Sequence, residues 1–250
     1  MSSNVEESAQ RYSLSLSSSG DEQKQKNTHV PTVSSLFKQL VNEYEVKKPQ
    51  DINIIQVSKE YGIQHRRVYD FFNFLTSLGV CQSLERRRIA WVGLKYAPET
   101  LANSYAEIEC SSLTQPFSSL FSIGPSPSLG SIATKFVCLY FYLGVDTLSM
   151  RSVSTLFHHP KTDIKSLERR MYLVLSFLEI IGIVTHTSKR SEYRLTMNQE
   201  NVVYNAFYKK KSASSVSNSC SVDNLLSKYT DQYIQKCNER RLHEFRELIG

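Results

Sequence analysis

The feature that most constrains this chain is a segment that occurs twice. The first copy, "QHRRVYDFFNFLTSLGV", starts at Gln64, and the second, "ERRMYLVLSFLEIIGI", starts at Glu168. Aligning them pairs the two adjacent arginines of one copy with those of the other, and pairs Gly79 with Gly182. A tandem repeat of one small domain is the simplest explanation of this match.

The first copy has the sequence pattern of three helices and a hairpin. "TVSSLFKQLVNEY" and "INIIQVSKEYGI" place apolar residues at helical spacing, with Asn53 as an N-cap and Gly62 as a stop, and the arginine-bearing segment is the third helix. "VCQSLERRRIAWVG" alternates, turns between Glu85 and Arg88, and returns as a strand that ends at Trp91. Three helices followed by a basic-tipped hairpin predict a winged helix-turn-helix.

The second copy repeats this order. "SIATKFVCLYFYLGV" and "TLSMRSVSTLFHH" predict two helices, and "DIKSLERRMYLVLSFLEIIGI" predicts a third with Asp163 as its N-cap. "IVTHTSKRSEYRLT" again predicts strand, charged turn and strand. The predicted fold is therefore mainly α with small β-hairpin wings, and consists of two tandem winged helix-turn-helix domains plus a C-terminal helix.

Shifts in composition divide the rest of the chain. Residues 1–31 are rich in Ser, Gln and charge and predict a disordered tail, followed by the first winged helix at 32–95. Residues 96–130 contain four prolines and predict a Pro/Ser-rich linker with one helix across 99–108. The second, divergent winged helix follows at 131–197. Residues 198–250 predict C-terminal helices, of which the last, from about 222 to 249, is expected to pack onto the body.

The adjacent arginines open the solvent side of the third helix. At about 100° per residue, Val68 and Phe71 face a core, whereas Arg66 lies on the opposite side. Arg67 and Asp70 are spaced i, i+3, so the carboxylate is expected to brace the guanidinium. A braced guanidinium fork suits O6 and N7 of guanine in the major groove. The plainer alternative is a solvated helix start with a surface ion pair.

The stretch "RRVYDFFNFLTSLGVCQSLERRRIAWVG" resembles the RRxYDxxNxL signature of the E2-factor/DP family of winged-helix cell-cycle transcription factors. The two copies in one chain resemble the atypical branch of that family, which has tandem DNA-binding domains. The resemblance implies that Arg66 and Arg67 read guanines in a GC-rich core, with Tyr69 supporting backbone contact. It also implies that the two copies act as an intramolecular pseudo-dimer in place of a separate partner subunit.

The candidate DNA-binding residues follow from this reading. In the first copy they are His65, Arg66, Arg67, Tyr69, Asp70 and Asn73 on the third helix, and Arg86, Arg87 and Arg88 in the wing. In the second copy they are Arg169, Arg170, Tyr172, Lys189 and Arg190. The second copy departs from the signature, with Leu173 in place of Asp70, Ser176 in place of Asn73, and Glu168 beside its arginines. It either binds DNA loosely or packs against the first copy.

Composition bounds the function. A net charge of +6 permits an anionic partner. Five scattered cysteines and the isolated pair His158–His159 predict neither a disulfide framework nor a metal site, and we expect no cofactor. No apolar run is long enough to span a membrane. The sequence contains neither a phosphate-binding glycine motif nor a nucleophile elbow, and we do not expect an enzyme.

These observations predict a soluble, nuclear regulator of transcription that binds GC-rich double-stranded DNA. A second winged-helix family member or a co-regulator is a further partner that this interpretation allows. The alternative is a tandem winged-helix scaffold that bridges proteins without sequence-specific DNA binding, because a fold does not fix a function.

Overall fold

The computed structural model describes residues 32–85, 88–214 and 231–250, and it describes their side chains except at 209–214 and 231. The predicted tail at 1–31, the wing residues Arg86 and Arg87, and the predicted start of the last helix lie outside these residues. The helices are α1 (Val33–Lys47), α2 (Ile54–Glu60), α3 (His65–Ser77), α4 (Tyr96–Ser111), α5 (Phe117–Leu120), α6 (Leu129–Leu143), α7 (Met150–Phe157), α8 (Ile164–Ile180), α9 (Glu200–Ser214) and α10 (Asp231–Ile249). The strands are β1 (Ile52–Asn53), β2 (Cys81–Ser83), β3 (Arg88–Trp91), β4 (Thr147–Ser149), β5 (Val184–His186) and β6 (Glu192–Leu195).

Each copy folds as a winged helix-turn-helix with the same antiparallel sheet. The strand order is β1-β3-β2 in the first copy and β4-β6-β5 in the second. Ile52 lies opposite Ile89 in the first sheet, and Leu148 lies opposite Tyr193 in the second. The mainly α fold with small β-hairpin wings is therefore confirmed.

The short strands β1 and β4 differ from the sequence interpretation. The segments that begin at 52 and 147 were each predicted as a helix without a strand, but a strand of two or three residues precedes each helix. Such short strands cannot show an alternating pattern, and pairing with β3 or β6 holds them extended.

Polar side chains begin the helices as the sequence indicates. Asn53 Oδ1 accepts hydrogen bonds from the backbone N–H groups of Ile55 and Gln56, and Asp163 Oδ2 accepts one from Ser166 at 2.9 Å. These bonds satisfy N–H groups that have no partner inside the helix, so both predicted N-caps are confirmed.

The two copies share one hydrophobic core. Helix α1 of the first copy contacts α8 of the second, and α3 of the first contacts α6 of the second. The ring of Phe177 meets those of Phe37, Phe71 and Phe74 at centroid distances of 5.8, 4.9 and 5.4 Å. The α3–α6 contact is so close that a Cβ at Gly130 would collide with the Ser77 side chain. The copies are therefore packed against each other directly.

The segment predicted as a linker contains two helices, α4 and α5. Helix α4 extends beyond the predicted helix at both ends and packs on α6 and α9. Its side chains Leu101 and Tyr105, spaced i, i+4, are fully buried. Much of this segment is therefore part of the core, although its prolines and serines indicated a spacer.

Helix α10 docks on the body through a buried ion pair, in agreement with the expected packing. Arg241 Nη1 and Nη2 donate to the two carboxylate oxygens of Glu109 at 2.7 and 2.8 Å. The guanidinium also lies 3.8 Å from the ring centroid of Tyr142. None of the described helices is both long and apolar enough to cross a membrane.

Candidate nucleic-acid interface

The turn between α2 and α3 fixes where the arginine-bearing helix begins. Gly62 has a φ of +64°, a left-handed conformation that glycine adopts without steric cost. The Ser58 hydroxyl donates to the carbonyl of Ile63 at 2.6 Å, and the N–H of Ile63 donates back to the Ser58 carbonyl at 3.1 Å. Val68 then anchors the first part of α3 in the core, so the start of the helix is held rigidly.

The outer face of α3 carries the predicted DNA-binding side chains. Arg66 and Arg67 are the second and third residues of α3 and are both exposed, as are His65 and Asn73. Tyr69 is 44% exposed although the same helix buries its apolar side completely. The structure therefore brings basic, aromatic and amide groups together on one accessible surface, which we call the α3 face (His65, Arg66, Arg67, Tyr69 and Asn73).

The expected brace between Arg67 and Asp70 is wrong. Among the described residues, no hydrogen bond or ion pair joins the Asp70 carboxylate to either arginine, although Asp70 is half-buried on the same helix. Spacing alone makes such a pair possible, but an exposed guanidinium loses little by facing water instead. Asp70 therefore does not occupy the N–H donors of Arg66 and Arg67, which can bond to another acceptor.

The wing of the first copy is attached to α1 by a residue that the sequence analysis did not single out. Glu45 Oε2 accepts hydrogen bonds from Trp91 Nε1 at 3.0 Å and from the backbone N–H of Leu94 at 2.9 Å. In the wing itself, Arg88 Nε lies 2.7 Å from the Asp51 carboxylate, and both side chains are half exposed. No local sequence pattern links Glu45 to a strand end so distant in the chain.

A second contact holds the helix-turn-helix to α1. The Tyr61 hydroxyl donates to Glu43 Oε2 at 2.6 Å, and Lys47 donates to Glu43 Oε1. Burial and the neighbouring Glu43 carboxylate raise the pKa of Tyr61, so the phenol stays protonated. The hydrogen bond from Lys47 lowers the pKa of Glu43, which keeps the acceptor charged. The orientation of α3 thus depends on charge-assisted hydrogen bonds as well as on the core.

The second copy presents its corresponding residues differently. Arg169, Arg170 and Arg190 are all exposed, but Arg170 Nη1 also donates to the carbonyl of Pro127 at 2.7 Å. The hydroxyl of Tyr172 is hydrogen-bonded to Ser191 Oγ at 3.1 Å, and Lys189 lies 3.4 Å from Glu192. Three of the five candidate residues of this copy are therefore engaged within the chain.

Across the described part of the chain, no three His, Cys, Asp or Glu side chains are grouped closely enough to hold a metal ion. The α3 face consists of hydrogen-bond donors, a phenol and an amide, which are groups that contact phosphates and base edges.

Comparison with known proteins identifies the first copy. Residues 31–93 match the model of the E2-factor/DP family winged-helix DNA-binding domain. No curated protein and no solved structure matches the chain. The match covers α1 to β3, including the whole α3 face, whereas the second copy lies outside it. Residues 31–93 are therefore a winged-helix DNA-binding domain of the E2-factor/DP family, and the protein is a DNA-binding regulator of transcription.

Proposed function

We propose that this protein acts in the nucleus and recognises GC-rich double-stranded DNA through Arg66 and Arg67. The observation that carries the proposal is the exposure of both arginines in the first turn of α3, within a domain of a DNA-binding family. In helix-turn-helix proteins, residues near the start of the recognition helix contact base edges in the major groove. A guanidinium fork pairs with O6 and N7 of guanine.

The remaining groups of the α3 face suit the phosphate backbone. Tyr69 lies two residues beyond Arg67 with its ring partly exposed, so its hydroxyl can donate to a phosphate oxygen. His65 stands at the start of the helix, and Arg88 lies in the wing. Contacts of this kind set the register of a protein on the duplex while base contacts supply the sequence preference.

We further propose that the two copies act as a pseudo-dimer on one DNA site. The α1–α8 and α3–α6 contacts support this arrangement because each pairs the first helix of one copy with the third helix of the other. Phe74 and Phe177 hold the same position in the repeat and contact each other, as residues close to a two-fold axis do.

The proposal is tested by measuring the affinity of single variants for a GC-rich and a scrambled duplex at several salt concentrations. Arg66→Ala and Arg67→Ala are each expected to cost about 1–3 kcal/mol of specific binding, while binding to the scrambled duplex changes much less. Arg246→Ala is the matched control, since it removes an equal charge from an exposed position on α10. If both α3 variants bound the two duplexes as the parent does, the proposal would be wrong.

A further inference from the structure

The two arginine pairs lie at different distances from the starts of their helices, α3 and α8. Helix α3 has 13 residues and α8 has 17, and the repeat aligns their C-terminal ends at Ser77 and Ile180. Helix α8 therefore begins about one turn earlier. Arg169 and Arg170 are the sixth and seventh residues of α8, behind Lys165 and Ser166. The first turn of α8, which would approach DNA first, contains no arginine.

The second arginine of the α8 pair is also held by the segment that leads into α6. Arg170 donates to the Pro127 carbonyl, and the Thr162 hydroxyl donates to the Pro125 carbonyl at 3.1 Å. These two bonds fix residues 125–127 beside the start of α8. Arg67 is the corresponding residue of α3 and has no such bond among the described residues. Reading a base with Arg170 would require the loss of a charge-assisted bond that Arg67 does not have within that part of the chain.

Two more positions of α8 differ in the same direction. The Tyr172 hydroxyl is bonded to Ser191, which is 7% exposed, whereas Tyr69 has no equivalent bond among the described residues. Glu168 occupies the position of His65 in the repeat. A carboxylate beside the arginines repels both phosphates and the electronegative O6 and N7 edge of guanine.

The basic side chains that remain available on this copy suit phosphates. Lys165 and Arg169 are exposed and spaced i, i+4, so they lie on one side of α8. Lys161, in the turn before the helix, and Arg190, in the wing, are exposed as well. Such cations neutralise the phosphate backbone of DNA whatever its base sequence. No arginine at the start of α8 is available to read a base.

We infer that the DNA site is asymmetric: the first copy reads guanines in one half, and the second copy holds the other half through phosphates only. This inference rests on the proposed function, because it assumes that the α3 face reads DNA. It predicts a DNA site in which guanines are required on one side of the centre. On the other side the protein contacts the DNA, but the base sequence is free to vary.

Interference footprinting with the full chain tests this inference. Duplexes are first selected from a randomised pool. Methylation of guanine N7 then reports major-groove contacts, and ethylation of phosphates reports backbone contacts. We expect methylation to block binding in one half of the site only, whereas ethylation blocks binding in both halves. Arg67→Ala identifies the half of the site that the first copy reads, because it should remove the methylation interference at the guanine that Arg67 contacts and leave that of Arg66.

Matched variants separate the roles of the two helices. Arg67→Ala is expected to weaken specific binding at least tenfold, whereas Arg170→Ala should change affinity less than twofold and leave the methylation pattern intact. Arg170→Gln retains a donor for Pro127 and covers the case in which Arg170→Ala does not fold. Lys165→Ala and Arg169→Ala should weaken binding to selected and scrambled duplexes equally, and each should reduce the salt slope by about one.

The outcomes distinguish this inference from the proposed function. Methylation interference in both halves would overturn the inference and leave the proposed function standing. Ethylation interference confined to one half would overturn it too, because the second copy would then not touch DNA. Absence of methylation interference throughout, together with unchanged binding by Arg67→Ala, would reject the proposed function itself.

Discussion

At the scale of single residues, Phe74 connects the fold of one copy to the presence of the other. It is fully buried on α3, and its ring contacts Phe71 of the same helix and Phe177 of the second copy. An isolated winged helix would expose this side of α3 to water. The effect of substituting Phe74 on stability therefore reports how much the contact between the two copies contributes to folding.

Phe74→Ala is expected to lower the free energy of unfolding by about 3–5 kcal/mol, because it removes buried ring contacts and leaves a cavity between the copies. Chemical denaturation of the two proteins measures the difference. Asn73→Ala is the control, since Asn73 is the preceding residue of the same helix and is exposed. Equal stability of the Phe74 variant and the control would show that the contact between the copies contributes nothing.

Tyr44 gives the stability a dependence on alkaline pH. Burial, reinforced by Glu60 and Glu43, raises the pKa of Tyr44 from 10.0 to about 12 in the folded protein. Below pH 10 the phenol is neutral in both states, so its contribution to stability is complete. Between pH 10 and pH 12 the unfolded chain loses the proton while the folded protein keeps it, and stability falls as the pH rises.

Tyr44→Phe is expected to make the stability less dependent on pH in that range while changing it little at pH 7, because the ring contacts with Phe72 and Trp91 remain possible. Urea denaturation at pH 8 and at pH 11 provides the comparison. Tyr208→Phe is the control at an exposed tyrosine. A Tyr44 variant that lost as much stability between the two pH values as the parent would contradict this assignment.

The sequence allowed some residues to be predicted and others not, for physical reasons. The core side of α3 followed from helical periodicity, and so did the exposure of Arg66 and Arg67. Phe74 lies on the flank of that pattern, and its contact with Phe177 of the second copy is one that helical periodicity cannot predict. The Arg67–Asp70 brace was wrong because spacing defines possible neighbours but does not decide whether they prefer each other to water.

At the scale of elements, the residues that cap helices predicted the structure better than the composition of a segment did. Asn53 and Asp163 marked helix starts correctly because a cap is a local interaction. The prolines and serines of 96–130 indicated a spacer, although α4 buries Leu101 and Tyr105 in the shared core. Whether a helix packs depends on distant partners, here α6 and α9, and local composition does not contain that information.

Docking of α10 provides a prediction at this scale. Burial alone would lower the pKa of Arg241, but the Glu109 carboxylate outweighs this effect and raises it, so the guanidinium stays charged. Removing one partner leaves the other charge buried alone. Arg241→Met and Glu109→Leu are therefore each expected to lower the free energy of unfolding by about 3–5 kcal/mol.

The double variant Arg241→Met/Glu109→Leu is expected to recover most of that loss, because apolar groups of similar size can replace a buried ion pair at little cost. A double-mutant cycle by chemical denaturation measures the coupling between the two positions. Arg240→Met is the control, because Arg240 precedes Arg241 on α10 and is exposed. Losses that simply add in the double variant would show that the two charges do not depend on each other.

At the scale of the whole molecule, the shared core makes the two copies one folding unit. The buried residues of both copies form a single cluster, and α1 and α3 contact helices of the second copy directly. Two copies joined only by a flexible linker would unfold independently. A continuous core instead couples them, since loss of one copy exposes the apolar surface of the other.

The single tryptophan makes this coupling measurable. Trp91 is buried in the first copy, so its fluorescence reports that copy alone, whereas far-UV circular dichroism reports the helices of both. We expect the two signals to change together during denaturation. Met171→Ala, at a fully buried position of α8, should lower the free energy of unfolding by about 2–5 kcal/mol and shift the Trp91 transition equally. Lys165→Ala, at an exposed position of α8, should leave the Trp91 transition in place. A Trp91 transition that did not change on substitution of Met171 would show that the first copy folds independently of the second.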